Sequence, residues 1–552
     1  MLLDLKWPNR RRVGPFDRAT LQDVRPARSK KRPAKQHAVQ QKPAEPSFEK
    51  GGNATVPFRF RASILIAATL TAYLAALFYR RDQVPAGLHN DVAEEALRGL
   101  YLVDGHHFEV ITFSLGHSAE TLYLYLMGAA AKLFGPSTFA IQFPSWICAL
   151  LCIWLVWKLT ERIDDSIPAW IPLLTAGCSV WLFHYARSGL RAICAPVFLA
   201  AFALLLDRVE RRPADRIAGL VCGAVLGLSL YGYTSCRVLP IAFAVYVAFR
   251  LFREWASRAS IWKRYGVVAA GALAFSIPNI VFFLKQPQEF LTRGSYVLRG
   301  DPTVNVIWSA VFPLYYPNLY RDLVAPGQFD VDGVSAGLTS SGFSPVHIII
   351  TAAILVGLWQ ARRWMGKPLI AFLLVTWLIA IVTLGIAGPS LTRLLILLPV
   401  YLVFAAVGFG FLARWRRQLG IPVLLLILWV GLSDGYRYLS GGGAAQEFYA
   451  SEATPIGQKA AMLAKQGQKV ICVVSRDANV VNFLVHEAGA RVKVVEFFRR
   501  PLDPAQIPVN EFQPNSMLIE NDAGFNSFAT SFPAAWRVEQ NEQFQTVRFP
   551  AL

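Results

Sequence analysis

The fourteen residues GLHNDVAEEALRGL, positions 87–100, carry His89, Asp91, Glu94, Glu95 and Arg98. On a helix beginning near Asp91, residues 91, 94, 95 and 98 share one face and residues 93, 96, 97 and 100 another. A carboxylate presented on such a polar face can take a proton from a hydroxyl held within hydrogen-bond reach. The same spacing has a purely structural reading. Asp91 as N-cap with Glu94 three residues on forms a capping box, and any interfacial helix turns charge to water.

Other charged residues keep company with this stretch. Glu120, in GHSAETLYLYL, is a further acid. Arg187 and Arg191 stand four apart in HYARSGLRA, Arg237 lies in YGYTSCRVLP and Arg393 in GPSLTRLL. Each arginine falls at the edge of an apolar run, where a single one would simply snorkel to lipid headgroups. Four together supply what an anionic, lipid-linked substrate needs, because guanidinium pairs with phosphate bidentately.

The elements that must position these residues are transmembrane. Of 552 residues, 54% are hydrophobic and 16% charged, a composition too apolar for an ordinary soluble domain. Apolar runs near 62–79, 137–158, 167–185, 191–207, 216–233, 237–252, 265–284, 346–361, 368–387, 391–412 and 420–436 predict eleven spans. A twelfth candidate, TLYLYLMGAAAKLFG at 121–135, is short. Counting it as a span would put the arginine-rich loops DRVERRPADR, FREWASRASIWKRY, QARRWMGKP and ARWRRQLG outside. The positive-inside rule therefore selects eleven spans, a cytoplasmic N-terminus and an interfacial helix at 121–135. Loops 80–136 and 285–345 and the region from 438 to 552 then face outward. The last reads as a small α/β domain, with helices 454–466 and 477–488, strands KVICVVS, RVKVVEF and SMLIE, and a final hairpin. It has no phosphate loop and no nucleophile motif.

The formal charge of +19 is concentrated in residues 1–61, with fifteen Lys or Arg against five acids. This Pro-rich tail lacks apolar periodicity and reads as disordered, drawn to anionic lipid on the cytoplasmic side. No aromatic interleaving or folded module accompanies it, so a nucleic-acid partner is not expected. With the first apolar run starting near 62, no cleavable signal peptide is expected. Six of seven cysteines lie in or beside apolar segments and Cys472 stands apart, which is neither a disulfide framework nor a zinc spacing.

Four segments occur in a telling order: PAGLHNDVAEEALRGLYLVDGH, GHSAETLYLYLMGAAAKLFGPSTFAIQFPSWICAL, FHYARSGLRAICAPVFLA and AGLVCGAVLGLSLYGYTSCRVLP, followed later by GPSLTRLLILLPVYLVFAAVGFG. Over about 60 to 415 the chain resembles the bacterial membrane glycosyltransferases of family 39, relatives of protein O-mannosyltransferases and of lipid A aminoarabinose transferase. The resemblance implies a GT-C fold in the inner membrane, with the active site at the outer face. It implies inverting transfer of a sugar from an undecaprenyl-phosphate-type carrier to an acceptor protein, lipid or polysaccharide.

The family's acidic motif maps onto Asp91, the implied general base, and the acid before its interfacial helix maps onto Glu120. The family places Glu directly after the first acid. Here Val92 stands there, leaving Glu94 or Glu95 to supply the second carboxylate. In some relatives a comparable Glu helps bind a divalent metal, for which His89 and His117 are candidate partners. Arg187, Arg191, Arg237 and Arg393 are the candidates for the donor phosphate. Two rival functions remain: a lipid-linked sugar flippase, which should carry charges near mid-bilayer where these spans are nearly free of them, and an inactive assembly partner, which Val92 favours.

Overall fold

The computed structural model describes residues 56–288 (apart from 82, 86, 106–108 and 115–116), 302–311, 313, 348–440 (apart from 365 and 387–389), 453–496 (apart from 475–476), 515–520, 537–540 and 544–548. The predicted disordered tail, 1–61, lies outside the described residues up to 55, whereas residues 56–61 are helical; most of the 285–345 loop, including LTRGSYVLRGD, also lies outside them.

Helix follows every predicted apolar segment. The first half comprises α1 (Val56–Phe78), α2 (Asn90–Val103), α3 (Leu122–Phe134), α4 (Thr138–Ile163), α5 (Trp170–Gly177), α6 (Val180–Ser188), α7 (Cys194–Arg211), α8 (Arg216–Ser229), α9 (Val238–Arg253) and α10 (Arg258–Lys285). After α11 (Pro302–Val311) come α12 (Ile348–Ala361), α13 (Pro368–Gly385), α14 (Leu398–Trp415) and α15 (Gly420–Leu439). Seven helical stretches among the described residues are long and apolar enough to cross a membrane.

Two of the predicted spans are not single long helices. The predicted span 167–185 is two short helices, α5 and α6, parted at Cys178 and Ser179. The fourteen residues of α8 reach only about 21 Å at 1.5 Å per residue. The thirteen residues of α3 are likewise too short to span alone, as its length in sequence suggests. An unforeseen helix, α11, packs on α13, with Asn305 Nδ2 donating to the Ile386 carbonyl at 3.0 Å.

The two ends of the bundle differ in character. At one end, charged loops are laced together: Arg250 and Arg264 both reach Glu210, and Arg414 pairs with Asp164 at 2.7 Å. Lys367 there donates to the Ile163 carbonyl at 2.6 Å. At the other end lie α2 and a two-stranded hairpin, β1 (Ile111–Ser114) and β2 (His117–Glu120), paired antiparallel with Ile111 opposite Glu120.

The C-terminal sheet is present as predicted. Strands β3 (Val470–Val474), β4 (Lys493–Glu496), β5 (Ser516–Glu520), β6 (Arg537–Gln540) and β7 (Phe544–Arg548) run in the order β4-β3-β5-β7-β6, mixed parallel and antiparallel. Every residue of β3 is buried, as its unbroken apolar run requires, and helices α16 (Ala453–Lys465) and α17 (Ala478–Glu487) complete the unit.

Helix α2 rests on α3 through two glycines. A Cβ on Gly99 would strike the Leu124 carbonyl, and one on Gly128 would strike the Gly99 carbonyl. Helix α2 therefore has no freedom to move toward α3, and its register on the bundle is set by backbone contact. Substituting Gly128→Val should force the helices apart and cost roughly 1–3 kcal/mol or more, as overpacking does. Thermal unfolding of the detergent-solubilised chain reads this as a lowered midpoint; an unchanged midpoint would mean the contact is not tight.

Candidate active site at the α2 end

Three turns lie close to one another, and the first of them touches α2. The first follows α6, where Gly189 adopts φ +78° and redirects the chain into the 3-10 turn Arg191–Ile193. Only glycine takes that backbone readily, and a Cβ there would also approach Val92 Cγ1 and Gln142 Cγ at 3.3 Å. The second turn is Thr234–Arg237 before α9, and the third is Leu391–Leu394, capped by Ser390 Oγ accepting from the Arg393 amide at 3.3 Å. The second and third turns pack against each other.

The charged residues form an alternating chain. Glu95 Oε1 lies 3.0 Å from Arg191 Nε, with both side chains 5% exposed. Arg191 Nη1 faces Glu120 Oε2 at 3.9 Å, and its guanidinium sits 5.7 Å from the Tyr233 ring. Glu120 Oε1 accepts from Arg237 Nη2 at 3.1 Å and from Thr234 Oγ1 at 2.9 Å. The order Glu95–Arg191–Glu120–Arg237 alternates in sign. Each buried charge thus has an opposite neighbour, which is the condition for keeping charge out of water. Arg237, at 25% exposure, is the outward end of the chain. The hairpin bearing Glu120 is held in place by the Leu122 amide donating to the Tyr231 carbonyl at 3.0 Å.

The four residues of the polar face expected of α2 have four different settings. Asp91 is the accessible acid, with its side chain 42% exposed. Glu95, one turn on, points inward with the buried Val92, Ala93, Ala96 and Gly99. Glu94 accepts from Asn479 Nδ2 of α17 at 3.3 Å and so belongs to the contact with the C-terminal unit. Arg98 is bound to both oxygens of Glu109 at 2.6 Å. The capping assignment also changes. The helix begins at Asn90, and His89 is the N-cap, its Nδ1 accepting from the Asp91 amide at 3.1 Å. Asp91 stands in the first turn, where a carboxylate is favoured by the helix dipole.

Val92 has a structural explanation. It is fully buried over Gly189, so position 92 faces the neighbouring turn and not the open side where Asp91 lies. The carboxylate that meets Arg191 is supplied from position 95, a turn later on the same helix.

Arg187 departs from its expected phosphate-binding role. It is 2% exposed, and its guanidinium is wrapped in backbone carbonyls. Nε donates to Val84, Nη1 to Ala76, Leu77 and Tyr79, and Nη2 to Arg80 and Val84, at 2.5–3.1 Å. It therefore neutralises the carbonyl end of α1, where a cation is favoured, and has no donor left for a ligand. Arg393 is half-buried in the third turn, beside the turn that carries Arg237.

A divalent metal does not suit the described residues. Glu120 faces two guanidinium groups that would repel it, and His89 is engaged as a helix cap. Among the described residues no group of three or more His, Cys, Asp or Glu could hold a metal ion. The His117 backbone pairs with Ser114 in the hairpin, and its side chain lies outside the described residues. Thr234 and Tyr233 were not singled out in the sequence, although Thr234 precedes Arg237 by the three residues that a helical turn closes. Glu109 and Asn479 carry no local signal at all.

Residues 121–282 match the family model described as dolichyl-phosphate-mannose-protein mannosyltransferase. In three dimensions the chain is similar to ArnT from Cupriavidus metallidurans bound to undecaprenyl phosphate, with 13% identity and a TM-score of 0.55. It is similar to the apo state of the same protein at 12% identity and a TM-score of 0.57. Both likenesses cover 88% of this chain and 98% of the other. Among curated proteins nothing matches.

The architecture is therefore the GT-C fold, carried by several helices long and apolar enough to cross a membrane. The segment matched to the mannosyltransferase family contains Arg187, Arg191, Thr234 and Arg237, while Asp91 and Glu95 precede it.

Two measurements separate the roles of the arginines. Arg187→Lys, which leaves three donors in place of five, should cost roughly 2–4 kcal/mol of stability while donor affinity persists. A normal melting temperature with lost donor affinity would return Arg187 to the binding site. A double-mutant cycle on Glu95→Gln and Arg191→Gln should give a coupling of about 1–3 kcal/mol in unfolding. Additive effects would show that the pair is not formed.

Proposed function

We propose that this protein transfers a sugar from a polyprenyl-phosphate carrier to an acceptor hydroxyl at the outer face of a bacterial inner membrane, with inversion. The observation that carries the reading is the contrast on α2. Asp91 is accessible, whereas Glu95, one turn away, is locked into a buried chain of ion pairs that ends at Arg237. The site thus holds one carboxylate able to meet a hydroxyl beside cations able to meet a phosphate. The likeness to a protein whose structure contains undecaprenyl phosphate supports the class of donor.

In the proposed step the acceptor oxygen bonds to the anomeric carbon as the bond from that carbon to the phosphate oxygen breaks. The phosphate leaves with the bonding electrons, and Asp91 takes the hydroxyl proton. Arg237 and Arg393 stabilise the charge that develops on the leaving phosphate. Arg191 holds Glu95 and Glu120 in place, and those two acids position arginines without taking the proton themselves. The acceptor is a hydroxyl of a protein, lipid or polysaccharide.

Outward placement of the site rests on the arginine-rich loops at the opposite end, which the positive-inside rule assigns to the cytoplasm together with the N-terminus. The C-terminal unit, which touches α2, is then periplasmic.

Asp91→Asn should lower turnover of a labelled polyprenyl-phosphate sugar by about 10²–10⁴-fold while donor binding is retained. Full transfer by that variant would remove Asp91 as the base. Arg237→Gln should weaken donor binding and turnover together. A periplasmic reporter fused after Tyr436 should be active, and activity of a cytoplasmic reporter there would reverse the orientation.

A further inference from the structure

Away from the site, the apolar helix α15 holds a single acid, Asp434, 4% exposed. A carboxylate in such surroundings is costly unless something compensates its charge. Its charge is met only in part by Arg437, three residues on, whose side chain lies on the exposed side of the helix.

Asp434 faces the place where the helical path of 170–188 is broken. Helix α5 ends at Gly177, and Ser179 caps α6 by accepting from the Leu182 amide at 3.3 Å. Helix α15 is drawn tightly against this break, because a Cβ on Gly431 would overlap Cys178 Sγ. Between them lies a cavity of about 20 Å³ whose lining includes Asp434, Thr175, Ser179 and Tyr401. Thr175 Oγ1 donates to the Ile171 carbonyl at 2.7 Å, and Tyr401 Oη accepts from Trp377 Nε1 at 3.2 Å. Both hydroxyl oxygens retain acceptor capacity.

We propose that this cavity binds one monovalent cation of sodium size, held by Asp434 with the hydroxyl oxygens of Thr175, Ser179 and Tyr401. The volume suits a single water-sized particle. One carboxylate balances one positive charge, whereas a divalent ion takes six to eight oxygens and more acids than line this cavity. The carbonyl end of α5 adds the negative pole of a helix dipole, the arrangement by which interrupted membrane helices hold such ions. A bound ion would tie α15 to the broken helix whose second half, α6, carries Arg187. The proposal is independent of the reaction assigned to the site.

The test is thermal unfolding of the full chain in detergent, titrated with sodium chloride against choline chloride at matched ionic strength. Sodium should raise the midpoint saturably, as a ligand of the folded state does, and choline should not. Asp434→Asn should remove the sodium response, and Ser179→Ala should raise the half-saturating concentration about tenfold. Equal effects of the two salts, or a sodium response that survives Asp434→Asn, would overturn the proposal. If Asp434→Asn does not fold, Ser179→Ala and Thr175→Val decide, and unchanged half-saturation in both would overturn it.

Discussion

The pairing of Arg191 with Glu95 and Glu120 is the constraint on which the α2 end of this protein depends. A guanidinium with so little contact with water must be compensated by opposite charge, and the two acids come from different elements. Glu95 comes from α2 and Glu120 from the hairpin that precedes α3. Removing the arginine would leave two carboxylates facing one another in a medium that solvates neither. The cluster and the glycine contact with α3 together fix where α2 sits, and the position of Asp91 follows from that of α2.

The same motif shows how differently two neighbouring arginines can be used. Arg187 and Arg191 are separated by one turn and both are almost fully buried. Arg187 is answered by carbonyl oxygens at the end of α1 and acts as a structural clamp. Arg191 is answered by carboxylates and joins the charged chain that ends at Arg237. The left-handed Gly189 between them makes the division possible, because it turns the chain away from the axis of α6. Val92 covers that glycine. Val92 is therefore a packing residue, and the acid next along the buried face does the pairing.

Much of this was legible in the residues. Apolar run lengths gave the helices, and alternation with arginine-rich loops separated the two ends of the bundle. The C-terminal sheet was readable from short β-branched runs. What escaped was set by contact. A run long enough for a span became two helices at Cys178 and Ser179, since capping of α6 and close packing of Gly431 outweighed continuity. Periodicity placed Glu94 and Glu95 on one polar face, and nothing local could say that one would meet α17 and the other Arg191.

The sequence by itself determined that this is a polytopic protein with acids and arginines gathered at one end of its helices. Hydrophobic length and charge bias act through local composition and need no partner to be read. Tertiary structure alone decided which charge answers which. Ion pairing in a low-dielectric setting depends on distances between segments a hundred residues apart, as between Glu120 and Arg237. Only that packing distinguishes Asp91, left accessible, from the acids one turn away that are consumed in holding the site together.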